Sequence, residues 1–489
     1  MPQAMTKAAL VGLACLATVS AGTISPAASM TSSAVSKQAA PAAKKAKTSV
    51  TRFGYNATVF GTKVSLGGVE IRTLKDALVN RPCTRRSGLE STSSSLLSTD
   101  LLPGALTDLV DFSLSTSSTQ TYRRAGRGLY GIRAVNTLAD LTIGGEVLGV
   151  KTPAFKIKGL QSVADSFYDG KADGGNGAFK TKQSFGYGGL QLVLSDEDQI
   201  SQTVSTLFGI LGVDPVATLN QVVEVPLTAL LGVIGTLPLE LPGLGSISLG
   251  SARGKTTDHG AVAEAYALKI KLDGNDAAGI PATLLQLGRA ISTISEPVKA
   301  GVFRSKMSAL EADIGGLLSV GGVGQRTVPC EGTDGKVVTS RVARAGVPQV
   351  LSLNGITYAY KGVQNGQRAR GFVSTTIGEV KLLQAGVVLQ GISSRVNLRS
   401  NKPNSRVRST ASTKVAKLLI GGEEVSLPAL GKWLSFKDST GQTGRLRLNV
   451  LDPTANGFFG KHLTGVQIAL PGTNTTIDLG VANGEIFFR

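Results

Sequence analysis

The feature that most limits what this chain can become is a phrase written twice. "SLGGVEIRT" occupies 65–73 and "SVGGVGQRT" occupies 319–327, with Ser, Gly, Gly, Val, Arg and Thr at matching places 254 residues apart (319 − 65). Each copy runs on to a Pro-Cys pair, Pro82-Cys83 and Pro329-Cys330. A second phrase then follows each cysteine, Ile143-Gly144-Gly145-Glu146 in one case and Ile420-Gly421-Gly422-Glu423 in the other. The interval from Cys to that phrase differs, 60 residues against 90 (143 − 83 and 420 − 330), and insertions between strands absorb such a difference cheaply. Phrase, Pro-Cys and Gly-Gly bend in the same order twice reads as one module present in two copies.

The surrounding pattern makes that module β. Val64, Leu66, Val69 and Ile71 alternate around a Gly-Gly bend, and Leu190, Leu192 and Leu194 keep strict period two. Leu268, Ile270 and Leu272 alternate with Lys269 and Lys271, and "TTIDLGVANGEIFFR" returns to strand at the C-terminus. With 61 Gly and only 5% aromatics, the composition suits many strands and turns. The fold expected is mostly β: two related antiparallel, sandwich-like modules with a small helical insertion between them. The first module spans 51–196, the helical and apolar insertion 197–245, and the second module 246–489. Ser195 with Asp198, and Asp214 with Pro215, supply helix-start signals for that insertion. Leu284, Leu287, Ile291 and Ile294 have helical spacing and predict a short helix near 281–296.

The N-terminus reads as a targeting segment. Lys7 precedes an apolar run, "AALVGLACLA", and Val19 and Ala21 fit a signal-peptidase site, so 1–21 is expected to be a signal peptide. Residues 22–50 are Ser-, Ala- and Lys-rich, a flexible basic linker. Export leaves Cys83 and Cys330 in an oxidising setting, where they either bridge or sit as two separately buried thiols. The stretch from Val213 to Leu244 is interrupted by Asp214, Glu224, Glu240 and prolines, so no transmembrane helix is expected in the mature chain.

A net charge of +18 on an exported chain points to anionic cell-wall polymer or lipid headgroups as partners, and not to nucleic acid. The charge concentrates at 380–422, which holds Lys381, Arg395, Arg399, Lys402, Arg406, Arg408, Lys414 and Lys417 and no acid. That stretch is either an anion-binding surface or a solvated edge kept from aggregating by its charge.

Motifs for chemistry are missing or malformed. "GSARGKTT" at 250–257 has three residues, not four, between Gly250 and Gly254, too few for a phosphate-binding loop, and reads as strand and hairpin tip. His259 and His462 have no partner at metal-ligand spacing, and there is no G-x-S-x-G elbow. "DGKADGGNG" at 169–177 lacks the closing Glu of a calcium loop and reads as a surface turn. No cofactor and no enzymatic activity are expected. The runner-up role is a carrier holding an apolar ligand under 197–245.

The stretch "GSISLGSARGKTTDHGAVAEAYALKIKL", together with "CTRRSG" and "CEGTDG" beginning at the two cysteines, resembles the exported actinobacterial choice-of-anchor proteins of the P type. The resemblance covers most of 51–489 in style and implies a surface or secreted β protein with no catalytic residues. The chain departs from those members in ending "GEIFFR" without a sorting motif, so no covalent anchor is expected.

Overall fold

The computed structural model describes residues 48–66, 69–73, 77–96, 110–112, 114–147, 150–194, 205, 208–209, 212–219, 221–224, 239–241, 245–273, 282–296, 298–314, 318–321, 324–347, 351–383, 385–438, 441–452 and 457–488. The expected signal peptide and most of the linker lie outside them. Ser49 and Val50, assigned to the linker, already belong to the first strand.

The chain is mostly β, as expected. It opens with β1 (Ser49–Leu66), β2 (Val69–Thr73) and β3 (Val79–Ser87). Next come β4 (Glu90–Leu96), β5 (Val110–Phe112), β6 (Leu114–Arg124), β7 (Leu129–Val147), β8 (Val150–Asp169), β9 (Ala178–Gly186), β10 (Gly189–Val193) and β11 (Val222–Glu224). Then follow β12 (Leu239–Leu241), β13 (Gly245–Thr257), β14 (Gly260–Leu272) and β15 (Thr283–Ser295). The second half starts with β16 (Val302–Ile314) and β17 (Leu318–Gly321). It continues through β18 (Val338–Val347), β19 (Leu351–Asn365), β20 (Arg368–Leu382), β21 (Val387–Ser400), β22 (Arg408–Lys414), β23 (Lys417–Ile420) and β24 (Glu423–Glu424). It closes with β25 (Leu434–Lys437), β26 (Thr443–Leu451), β27 (Gly460–Leu470) and β28 (Thr475–Phe487).

These strands build two sandwiches on one shared sheet, ordered β12-β13-β14-β15-β1-β2-β17-β16-β28-β27-β26-β25. Its first half is covered by the sheet β11-β10-β8-β7-β6-β4, its second half by β18-β19-β20-β21-β23-β24. The two halves have one strand order. The first strand pairs with the last (β1 with β15, β16 with β28) and turns back into a short second strand (β2, β17). In each covering sheet one long strand splits its partner in two: β8 pairs with β9 at one end and β10 at the other, β21 with β22 and β23. The units meet where β2 pairs antiparallel with β17.

This topology moves one sequence boundary. The strands from Gly245 to Ser295, assigned to the second module, pair alongside β1 and belong to the first unit. The two written phrases also fall on different places. "SLGG" begins at the end of β1, whereas "SVGG" begins inside β17. Ile143 lies in β7 and Ile420 ends β23, strands that occupy different places in their sheets. The positions that correspond are Leu66 and Ile314, each ending a first strand.

The helical insertion is not shown. Within 197–245 only Ser205, Phe208 and Gly209 are described as helical, and β11 and β12 are strands. At Asp214 the side chain accepts the Val216 N–H, and the Thr218 hydroxyl donates to the Asp214 and Pro215 carbonyls. Such local bonds favour turns over helix. The helix expected near 281–296 is a strand. Thr283–Ser295 pairs on both sides, with β1 and β14. Gly288, at φ +60, puts a crease in it, so burial passes from Leu285 and Leu287 to Ala290, Ser292 and Ile294. A change of parity inside one strand imitates helical spacing.

The crease runs across the sheet through small residues: Gly61, Gly288, Ala267 and Gly250 in the first unit, Ala309, Gly480, Gly465 and Asn449 in the second. A Cβ on Gly465 would strike Ser394 Oγ from the covering sheet, so small size is required there. Each half buries its own core: Phe53, Tyr55, Ile132 and Ala290 are among the residues of the first, Leu353, Val396, Leu446 and Ile468 among those of the second.

Cys83 and Cys330 form a disulfide, their Cα atoms 5.4 Å apart. It joins β3, which flanks β1, to the stretch after β17 that flanks β16, where the Phe303 N–H donates to the Cys330 carbonyl. Arg304 reinforces the join. Its Nε donates to the Cys83 carbonyl at 2.6 Å, its guanidinium lies 3.5 Å from the Phe487 ring centroid, and burial lowers its pKa to about 10.

Candidate functional site: a basic sheet face

Side chains on a strand alternate between faces, so burial of Val396 and Leu398 turns Arg395, Asn397 and Arg399 of β21 to solvent. Register then decides which charges meet. Arg399 lies opposite Arg370 of β20 on one side and Arg408 of β22 on the other. All three are exposed, making a row of guanidinium groups on neighbouring strands spaced about 4.8 Å apart. Like charges directly opposite one another destabilise a sheet.

The rest of the face is built to hydrogen-bond. Arg395 lies between Ser374 and Ser412, and its guanidinium sits 3.7 Å from the centroid of the Phe372 ring while Nε donates to Asn397 Oδ1. Asn397 Nδ2 donates to Thr410 Oγ1. Lys402 and Arg406 are exposed in the β21–β22 turn, and Lys414 is exposed at the far end of β22. Between Arg341 and Lys417 the chain carries 13 basic residues and one acid, Glu379.

Not every expected residue joins. Lys417 pairs with Glu424 at 2.8 Å, and Lys381 with Glu379 at 3.1 Å. The stretch 380–422 has no acid of its own, but residues just beyond each end supply one. Arg370 and Phe372 were missed because they lie upstream of that window. The signal was present: the alternating "RARGFVS" becomes the antiparallel neighbour of β21.

The other candidates have plain structural roles. "GSARGKTT" lies on β13 and runs into the turn holding exposed His259. His462 on β27 sits between Glu485 (3.3 Å) and Asp452 (3.6 Å), and the Glu485 contact raises its pKa. Asp169 and Asp173 shape the β8–β9 turn, and no cluster of metal-ligating side chains occurs among the described residues. Among those residues no helix is long and apolar enough to cross a membrane. Most of 197–245, where the carrier reading placed a ligand, lies outside the described residues. A cleft of about 570 Å³ opens instead at the end of the first sandwich, beside Arg52, Arg85, Arg123, Tyr130 and Tyr168.

No protein-family model matches the chain, and no curated protein does. Among solved structures, a double mutant of the vaccine antigen transferrin binding protein B from Haemophilus parasuis Hp5 aligns over 88% of this chain and 76% of its own, at 6% identity and a TM-score of 0.10. At that score the alignment carries no argument about fold or role.

Proposed function

We propose that this is an exported, non-enzymatic binding protein of the cell envelope that holds an anionic wall polymer across the solvent face of β20, β21 and β22. The observation that carries the reading is the row Arg370–Arg399–Arg408, three guanidinium groups brought together by register with no carboxylate among them. A linear polyanion relieves their repulsion, and the intervening Ser, Thr and Asn side chains hydrogen-bond to it. Arg368 and Arg370 of β20 stand about 7 Å apart along their strand and Arg395 and Arg399 of β21 about 13 Å apart, so the face offers charges at several points along an extended polymer. A lipid surface is the poorer fit, because exposed large apolar side chains are lacking on this face and Phe372 is capped by Arg395. The Val19–Ala21 signal pattern, the disulfide and the resemblance to choice-of-anchor proteins support an extracytoplasmic location.

The test replaces Arg395, Arg399, Arg406 and Arg408 with Gln and measures the fraction held by purified cell walls against salt. Wild type should be released at higher salt than the variant. Two superimposable curves overturn the reading, and retention by anionic vesicles but not by walls assigns the face to lipid.

A further inference from the structure

The cleft at the end of the first sandwich has a chemistry that the shared fold does not require. The start of β1 and β3 form one wall, and the β6–β7 and β8–β9 turns form the other. Arg52 pairs with Glu296 at 2.9 Å and lies 5.4 Å from the Tyr168 ring centroid. Arg85 is fixed by donating from Nε to the Thr51 carbonyl at 2.8 Å, and Arg123 reaches Ser49 Oγ at 3.3 Å. Among the described residues neither Arg85 nor Arg123 has an ion pair. Tyr130 and Tyr168, opposite one another on β7 and β8, pack against Phe53 with ring centroids 4.9 and 5.0 Å away.

The second unit shows what this place looks like when it is only structural. Matching creases and register set Ala300 against Arg52, Gly332 against Arg85, Gln364 against Arg123, and the pair Ala369–Ser400 against Tyr130–Tyr168. There Gln364 closes the end, its Oε1 accepting the N–H groups of Lys299 (3.0 Å) and Ala300 (2.7 Å) and its Nε2 donating to the Glu331 carbonyl. One sandwich end is plugged by small residues and an amide. The other is held open and lined with guanidinium groups and phenol rings.

From this contrast we infer that the cleft is a second binding site, specific for a small oxyanion carried on a hydroxylated ring, such as a sugar phosphate or a uronic acid. Arg85 and Arg123 take the oxyanion, the geometry guanidinium groups favour. Tyr130 and Tyr168 give the ring an apolar flank with hydroxyls at its rim. The volume of about 570 Å³ admits one or two sugar rings and no folded polymer. The site is independent of the basic sheet face, which belongs to the other unit.

The experiment titrates the full chain by calorimetry with inorganic phosphate, glucose 1-phosphate, glucuronate and glucose. Glucose 1-phosphate or glucuronate should bind at least tenfold more tightly than phosphate or glucose. Arg123→Gln, which gives up a 3.3 Å bond to Ser49 and a 5.7 Å approach to the Tyr130 ring, should keep its melting temperature and lose at least tenfold in affinity. Arg85→Gln should lose as much, and Arg399→Gln nothing. Equal binding of glucose and its phosphate, no binding of any probe at 10 mM (roughly −3 kcal/mol of affinity, below any specific site), or an unchanged affinity in Arg123→Gln overturns the inference.

Discussion

Arg399→Thr should make the protein more stable and a poorer polymer binder at once. Arg399 is the middle of the row, so its removal deletes both close repulsions, with Arg370 and with Arg408. Two exposed charges about 6 Å apart repel by about 0.7 kcal/mol in water before screening. Screening leaves about half of that at physiological salt and about four-fifths at 10 mM, where the Debye length is about 30 Å. Two pairs give about 0.7 kcal/mol at physiological salt and about 1.1 kcal/mol at 10 mM, within the range for opposed like charges on strands. The lost bond from Arg399 Nε to Asn401 is exposed and offsets little, and Thr is a good strand former.

For a unit of this size the melting midpoint moves by about 2–4 °C per kcal/mol. Thermal melts at 10 mM and 500 mM salt should show the variant ahead by that order at low salt and level at high salt. Wall retention should move the opposite way. A variant that is less stable at low salt, or ahead by the same margin at both, would mean the three guanidinium groups do not repel one another, and the case for an anionic partner would fall with it.

Replacing Cys83 and Cys330 together with Ser should cost about 5 kcal/mol, the chain-entropy value for a loop of about 250 residues, read as a lower denaturant midpoint; an unchanged midpoint would show that sheet pairing alone holds the units. Gly465→Ala should destabilise by about 1–3 kcal/mol because its Cβ meets Ser394 Oγ, and Ser394→Ala should recover part of that loss in a double-mutant cycle. His462 has its pKa raised by Glu485 and then by Asp452, so its contribution is complete below the ordinary imidazole value of about 6.5 and fades as pH rises through the raised folded value. His462→Gln should therefore lose more stability at pH 5.5 than at pH 9 in chemical denaturation; an equal loss at both would assign His462 a packing role.

What the sequence made legible was whatever depends on neighbours along the chain. Period-two runs such as Leu190 to Leu194 and Leu268 to Leu272 read as strands; Leu190 and Leu192 fall in β10, which ends one residue before Leu194, and the second run falls in β14. What it hid depends on a neighbour across the sheet. The crease at Gly288 reverses alternation halfway along β15, and a one-dimensional pattern shows only helical spacing. The basic face was half visible. Arg395, Arg399 and Arg408 stood out as a run, but Arg370 joins them only through the β20–β21 register, and Glu424 removes Lys417 from outside the window. The twice-written phrase pointed to two like modules although its own residues do not correspond.

The stronger correspondence is geometric. β2 and β17 occupy the same place in their units and run antiparallel against each other, as a two-fold relation requires. Cys83 and Cys330 lie 247 residues apart, within one of the 248 that separates Leu66 from Ile314. On a two-fold axis a residue meets its own counterpart, so a cysteine kept in both units at that point has its partner supplied by symmetry. The bridge thus acts as a covalent form of an isologous interface within one chain. Once the units are tied there, neither must keep both surfaces. The row Arg370–Arg399–Arg408 has Gly131, Phe167 and Lys180 as its counterparts in the first unit, and the Arg- and Tyr-lined cleft has Ala300, Gly332, Gln364, Ala369 and Ser400 in the second. Each unit carries one of the two proposed sites and lacks the full residue set of the other. On the two proposals together, that division gives a chain with two like folds a use for both of them.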